Sequence, residues 1–297
     1  MCTHLESFFK NSLTVHGLSG DRTLEFIGLV IKGVSVIEAR IYNTLDDTAH
    51  FSEDWHESLW NKYFGRMSER LPIKICDTSV SETEDEPLYR MNVIIRSNAS
   101  INTIKELSDR YLLFAGAKER ERFTKSCSLV KNHIGFNAAV LMQLGVEADK
   151  ELNYKKLKYY LSLRKDIYKR PGYSGKMSDL LHSFCQLYQK TPNKAEKMLM
   201  DIQDCGYYPS FIGVNDCGAD SEIKLYFVSG LFGSSLKKDA LVQAQKLCKV
   251  LALNGETGEL TAQAPLRLNI YPMGIAVSFE EDPLIRLYFK EIPEKLK

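Results

Sequence analysis

The sequence lacks most of the features that would mark a crosslinked, metal-bound or membrane-spanning protein. Its seven cysteines (Cys2, Cys76, Cys127, Cys185, Cys205, Cys217 and Cys248) are odd in number, scattered over 297 residues and form no C-x-x-C pair. That spacing argues against a disulfide framework or a zinc ribbon and fits a reducing compartment. No apolar run approaches the roughly 18 residues a spanning helix needs. The opening stretch MCTHLESFFKNSLTVHG carries Glu6 and is amphipathic rather than leader-like, so the expected location is cytoplasmic. An excess of one charge is missing too. Thirty-nine Lys and Arg against 38 Asp and Glu leave a net charge of +1, so no global field favours nucleic acid or an anionic surface. Any affinity for anions must come from cations arranged locally. No P-loop, G-x-G-x-x-G, G-x-S-x-G or H-E-x-x-H pattern occurs. His50 and His56, near Glu53 and Asp54, have a spacing that suits no regular ligand set, and no metal site is expected there.

What is present is a rhythm. Hydrophobic content of 44% with 26% charged residues fits a globular chain, expected to form a single domain over 1–297. Strand-like segments come in neighbouring pairs: TLEFIGLVIK with VIEARIYNT, LPIKICD with LYRMNVIIRS, FNAAVLMQLGVEAD with YKKLKYYLSLR, YPSFIGVND with SEIKLYFVS, and LRLNIYPMGIAVSF with PLIRLYFKE. Each pair reads as a β-hairpin, and helical patterns separate the pairs. Within the second strands, Tyr160, Tyr226 and Tyr288 recur at steps of 66 and 62 residues, and Tyr42 lies 118 residues before Tyr160, two such steps. A repeated unit of about 60 residues argues for internal repetition. Five hairpins make ten antiparallel strands. The expectation is an α+β fold, a closed ten-stranded barrel of five ααββ-type units with helices outside, because closure disposes of the edges.

Alternation along the strands separates two faces. Leu225 and Phe227, like Leu287 and Phe289, belong to the face that meets helices. The other face carries Glu38, Arg40 and Tyr42; Lys156, Lys158 and Tyr160; Glu222, Lys224 and Tyr226; and Arg286 and Tyr288. With helices outside, this polar face lines the lumen. Cations gathered in a confined space need an anionic partner. Arg90 or Arg96 in the second hairpin, and Arg267 in the first strand of the fifth, are reserve cations. A diphosphate carries roughly three negative charges and suits such a cluster through charge-assisted hydrogen bonds. Tyrosine rings one pleat away present π-faces to a cation.

The motifs RIYN, KLKYYL, KLYF and RLYF, at matching places in successive units, resemble those of the ABBA-type, or PT-barrel, aromatic prenyltransferases. The resemblance implies prenyl transfer from an allylic diphosphate donor to an electron-rich aromatic acceptor, a small indole or phenol or an aromatic side chain of a peptide. It implies diphosphate binding by Arg40, Lys156, Lys158, Lys224 and Arg286, and Arg96 of the second hairpin is added to them as the expected further cation. Tyr42, Tyr160, Tyr226 and Tyr288 would shield the allylic cation, and NIYP adds Tyr271 as a first-strand member. Glu25 and Glu38 are the candidates to orient the acceptor and take its proton, or to hold Mg²⁺ against the diphosphate, which some relatives need and others do not. The second hairpin departs from the pattern, with Arg90, Asn92, Ile94 and Arg96 where a Lys-x-Tyr is expected. Asp46-Asp47 lacks the third carboxylate of a D-D-x-x-D motif, which disfavours the α-helical prenyl synthases.

Two rivals share parts of this pattern. A five-bladed propeller of the guanidine-modifying hydrolases also repeats at about 60 residues and would need a nucleophile such as Cys217 or Cys248 with His133 or His182. A non-catalytic barrel that carries an isoprenoid or another anionic lipid would use the same lumen.

Overall fold

The computed structural model describes residues 7–10, 22–32, 35–45, 54–65, 73–82, 87–95, 109, 114–134, 141–163, 174–191, 195–231, 236–280 and 282–292. The strands are β1 (Arg22–Lys32), β2 (Ser35–Leu45), β3 (Ile73–Glu82), β4 (Pro87–Ile95), β5 (Leu141–Ala148), β6 (Tyr154–Ser162), β7 (Tyr207–Asp216), β8 (Glu222–Ser229), β9 (Ile270–Ser278) and β10 (Leu284–Glu291). Between the hairpins lie α1 (Asp54–Trp60), which runs on into a π-helical turn at Asn61–Gly65, α2 (Ala117–Ile134), α3 (Ser174–Leu187), α4 (Ala195–Asp204), α5 (Leu236–Val250) and α6 (Gly255–Arg267). No helix among the described residues is long and apolar enough to cross a membrane.

All ten strands join one sheet in the order β2-β1-β10-β9-β8-β7-β6-β5-β4-β3. Every ladder is antiparallel. From the second hairpin on, each pairs with the one that follows, and β1 pairs with β10, so the first and last hairpins are neighbours in the sheet. The outermost strands, β2 and β3, bring Cα atoms within 8 Å of each other, although no ladder joins them among the described residues.

The apolar face packs as the alternation requires. Leu157, Tyr159 and Leu161 on β6, Ile223, Leu225 and Phe227 on β8, and Leu287 and Phe289 on β10 are all within 1% of full burial. Each such Leu or Phe contributes roughly 1.5–3 kcal/mol. Tyr159 shows which layer covers this face. Its ring meets Phe123 of α2 edge-on at 4.9 Å, and its hydroxyl shares a hydrogen-bonded triad with Ser126 of α2 and Tyr188, just past α3. Arg122, one turn before Ser126, forms a bidentate ion pair with the fully buried Asp216 at the end of β7, with N–O distances of 2.5–3.1 Å. Asp216 also accepts from the Ser221 hydroxyl at 3.0 Å, so the turn between β7 and β8 is tied to the same helix. On the β5–β6 turn, the Leu152 carbonyl accepts from Lys62 Nζ and the Tyr63 hydroxyl, both at 2.7 Å. That latch holds Leu152 at a φ of 59°, a left-handed conformation unusual for a side chain of its size.

The region after α5 corrects the sequence reading. No glycine takes the left-handed position at the end of α5. That helix ends in a Schellman arrangement in which Ala252 takes the left-handed position (φ 51°), Leu253 N–H donates to the Cys248 carbonyl at 2.9 Å and Ala252 N–H to that of Lys249 at 3.2 Å. Gly255 instead opens α6, a helix that Gly, Thr and Pro265 disguise in the sequence. Arg267 is therefore not a strand residue facing a lumen. It is the last residue of α6, exposed and paired with Glu259 at 2.8 Å.

Candidate functional site

On the face opposite the helices, the second strands of the third to fifth hairpins carry two successive rows of side chains, one polar and one aromatic. The polar row is built around two carboxylates. Glu147 on β5 stands in register with Arg90 on β4 and Lys156 on β6. Its Oε1 accepts from Arg90 Nε at 2.7 Å, from Arg90 Nη2, and from Lys158 Nζ; Lys156 Nζ is 3.5 Å from Oε2. Glu222 on β8 accepts from Lys224 Nζ and from Asn215 Nδ2 at 2.7 Å, and Arg286 Nη2 lies 3.8 Å from its Oε1. Lys158 and Lys224 are each only 3% exposed.

These groups perturb one another strongly. Burial alone would raise the Glu147 carboxyl, but Lys158 and Arg90 hold it far below the usual carboxylate range. Burial likewise opposes ionisation of Glu222, and Lys224 and Arg286 outweigh it, bringing the carboxyl down to about 2. For the lysines, burial dominates. It lowers Lys224 to about 7, against the attraction of Glu222 and with a further push from Arg286. Lys158 is lowered well below its ordinary range by burial and Arg90, with Glu147 resisting. Arg90 acts on Lys224, and Lys224 acts on Lys158, so the two ion-paired groups belong to one electrostatic cluster. Among the described side chains this cluster holds five cations and two carboxylates.

The aromatic row lies one pleat further along the same strands. Tyr226 stacks on Phe211 of β7 with centroids 4.4 Å apart and planes at 23°, and on Tyr288 at 6.2 Å and 21°. Tyr160 meets Tyr226 and Phe211 edge-on at 5.7 and 6.0 Å. Four rings from three hairpins thus make one platform beside the cation cluster.

Of the residues expected from sequence, Lys156, Lys158 and Tyr160, Lys224 and Tyr226, and Arg286 and Tyr288 converge as these two rows. Tyr271 stands apart. It pairs with Lys290 beyond a bulge that follows Tyr288, half-buried, with its phenol raised by burial. The backbones of Glu25, Glu38, Arg40 and Tyr42 lie in β1 and β2, where Arg40 pairs with Gly28, itself the partner of Tyr288. The side chains of these four, and Arg96 altogether, lie outside the described residues. Sequence reasoning missed Glu147, Asn215 and Phe211 as members, and it held Arg90 only in reserve. Each sits on the inward alternation of its strand, which was the available signal.

The hydrolase reading loses its chemistry. Cys248 is buried, donates to the Gly258 carbonyl at 3.5 Å, and has its thiol pushed up to about 11 by burial. Burial raises Cys217 as well, and His182 turns Nδ1 to the Ser178 carbonyl of its own helix. A thiol held protonated is a poor nucleophile. One continuous ten-stranded ladder is also not a set of separate blades.

Comparison with solved structures bears on the fold. The crystal structure of AnaPT from Neosartorya fischeri superposes with a TM-score of 0.56 over 92% of this chain and 79% of that one, at 10% sequence identity. The chain shares the fold of AnaPT. A 6-dimethylallyl tryptophan synthase aligns over 74% of this chain and 80% of its own at 11% identity, with a TM-score of 0.34 that carries no weight. No protein-family model and no curated protein sequence matches the chain.

Proposed function

We propose that this protein is an aromatic prenyltransferase that moves a dimethylallyl, geranyl or similar group from an allylic diphosphate to an indole, a phenol or an aromatic peptide side chain. The observation that carries the reading is the juxtaposition of a cation cluster with a platform of three tyrosines and a phenylalanine. It is supported by the fold shared with AnaPT and by the resemblance of RIYN, KLKYYL, KLYF and RLYF to the motifs of the PT-barrel aromatic prenyltransferases. In this reading the ten strands close between β2 and β3 into a barrel of five units, and the two rows line its lumen.

The chemistry follows from the rows. The diphosphate lies among Lys156, Lys158, Lys224 and Arg286, joined by Arg40 and Arg96, and its roughly three negative charges offset the surplus of cations over carboxylates. As the allylic C–O bond breaks, its electron pair leaves with the diphosphate, and the same cations stabilise the growing charge. Tyr160, Tyr226 and Tyr288, with Tyr42 and Tyr271, shelter the carbocation with their π-faces and exclude water. A carbon of the acceptor ring forms the new bond and then loses its proton to a carboxylate, Glu25 or Glu38.

Magnesium has no evident seat among the described residues. No cluster of three acidic, His or Cys groups occurs there, and Glu147 and Glu222 are each taken up by cations.

The test is turnover. Dimethylallyl and geranyl diphosphate, incubated with a panel of indoles, phenols and Trp- or Tyr-containing peptides, should release diphosphate and yield an alkylated acceptor detectable by mass. Tight donor binding with no product from any acceptor would favour the lipid-carrying barrel instead.

A further inference from the structure

The platform contains a position where a side chain has been left out. Gly213 lies inside β7, in register with Tyr160 on one side and Lys224 on the other. Its φ is not among the positive ones, so glycine is not needed there for backbone conformation. A glycine inside a strand costs stability and marks close approach of another group. Here the approaching group is aromatic. A Cβ at position 213 would stand 2.7 Å from Tyr226 Cε2, closer than real Cβ contacts come, and 3.0 Å from Tyr160 Cε1, a contact tight enough that the ring would have to give. Two residues along the same strand, Phe211 stacks on the face of Tyr226 at 4.4 Å. Tyr226 therefore sits in a slot, with the bare backbone of Gly213 at its ring edge, Phe211 on one stacked contact and Tyr288 on another.

We infer that Gly213 and Phe211 are positioning residues for Tyr226, and that the slot decides whether the allylic cation is held from water. The inference rests on the prenyl-transfer reading. Once the C–O bond has ionised, the cation has two fates that need no acceptor. It returns to an oxygen of the diphosphate, or a water oxygen bonds to it and the spare proton passes to the diphosphate, giving an alcohol. A ring pushed aside from Gly213, or left loose by loss of Phe211, opens the second route.

Gly145 marks the contrasting case. Its Cβ would fall 1.7 Å from Asn92 Oδ1 and 3.2 Å from Lys158 Cβ, so the same device there serves the polar row. At Gly274 the nearest atoms, the Phe227 carbonyl oxygen at 3.3 Å and Tyr288 Cδ2 at 3.6 Å, leave a methyl more room.

The experiment gives the full chain dimethylallyl diphosphate with a heavy-oxygen label in the bridging position. Scrambling of the label into non-bridging positions reports return, and dimethylallyl alcohol reports capture by water. Gly213→Ala and Phe211→Leu should each raise the ratio of alcohol to scrambling about threefold or more, while inorganic diphosphate binds within about twofold of wild type. Gly145→Ala should instead weaken inorganic diphosphate, and Gly274→Ala should change the ratio less than Gly213→Ala. Phe211→Leu adds no atom, so it carries the test if Gly213→Ala does not fold. An unchanged ratio in Phe211→Leu and in folded Gly213→Ala overturns the positioning role and leaves the function standing. Wild-type protein that neither scrambles the label nor forms alcohol overturns the role of the slot in guarding a free cation, while turnover with an acceptor decides the function separately.

Discussion

Lys224, buried, donates a hydrogen bond to the partly buried Glu222, two residues earlier on the same face of β8, and Arg286 stands beside them. A carboxylate within reach of two cations is a counter-ion, not a base. It keeps the cation cluster assembled while no ligand is bound, and a diphosphate arriving there supplies the same cations with more charge than Glu222 can. Several consequences of that exchange are measurable.

The first concerns pH. Lys224 is lowered in the folded protein to about 7, below its ordinary 10.5. Burying it charged costs stability, fully so below pH 7, and the cost is relieved as pH rises from about 7 to 10.5, because the unfolded chain binds the extra proton across that window. A diphosphate beside Lys224 restores the charged form. Binding of a thiolodiphosphate analogue at pH 8–9 should therefore take up a proton, read by calorimetry in buffers of different ionisation enthalpy. Little uptake is expected at pH 6, and net release at pH 8–9 would contradict the assignment.

Removing one carboxylate tests the counter-ion role. Glu222→Gln leaves Lys224 and Arg286 without their shared charged partner, a loss of about 2–4 kcal/mol because the carboxylate and the guanidinium are partly exposed. The melting temperature should fall, and inorganic diphosphate should restore more of it in the variant than it adds to wild type. A variant as stable as wild type, with no larger diphosphate effect, would show that Glu222 is a bystander.

Removing a cation tests transition-state stabilisation. Lys224→Ala and Arg286→Ala should each lower turnover about tenfold or more, since each helps carry charge on the leaving diphosphate. Circular dichroism should show both variants folded. Wild-type turnover in both would remove them from the site.

The outer face makes a different forecast. Arg122→Ala strands the fully buried Asp216 carboxylate and loosens the turn that leads into Glu222 and Lys224. Chemical denaturation should show a loss of about 2–4 kcal/mol, the guanidinium being partly exposed. Stability within experimental error of wild type would mean that Ser221 and the Gly218 amide suffice to hold Asp216.

What could be read from sequence depended on which interactions are local. Lys158 and Tyr160, Lys224 and Tyr226, and Arg286 and Tyr288 announced themselves because alternation along one strand puts each pair on one face, and the repeat spacing aligns the strands. Glu147 did not, since its significance lies in three cations from β4 and β6 that only the ladder brings near. Gly213 was silent for the same reason: an absent side chain matters through the rings that occupy its place. Arg267 was misread because Gly255, Thr257 and Pro265 hide a helix whose burial against the rest of the chain outweighs its weak propensity.

Calorimetric titration with dimethylallyl, geranyl and farnesyl thiolodiphosphates, with and without Mg²⁺, in wild type and Lys224→Ala, tests the central claim most directly, because these analogues keep the charge while reacting slowly. The account predicts micromolar binding of at least one analogue, lost in Lys224→Ala. No binding of any of the three, or equal binding by the variant, would mean that the cation–tyrosine rows serve something other than an allylic diphosphate.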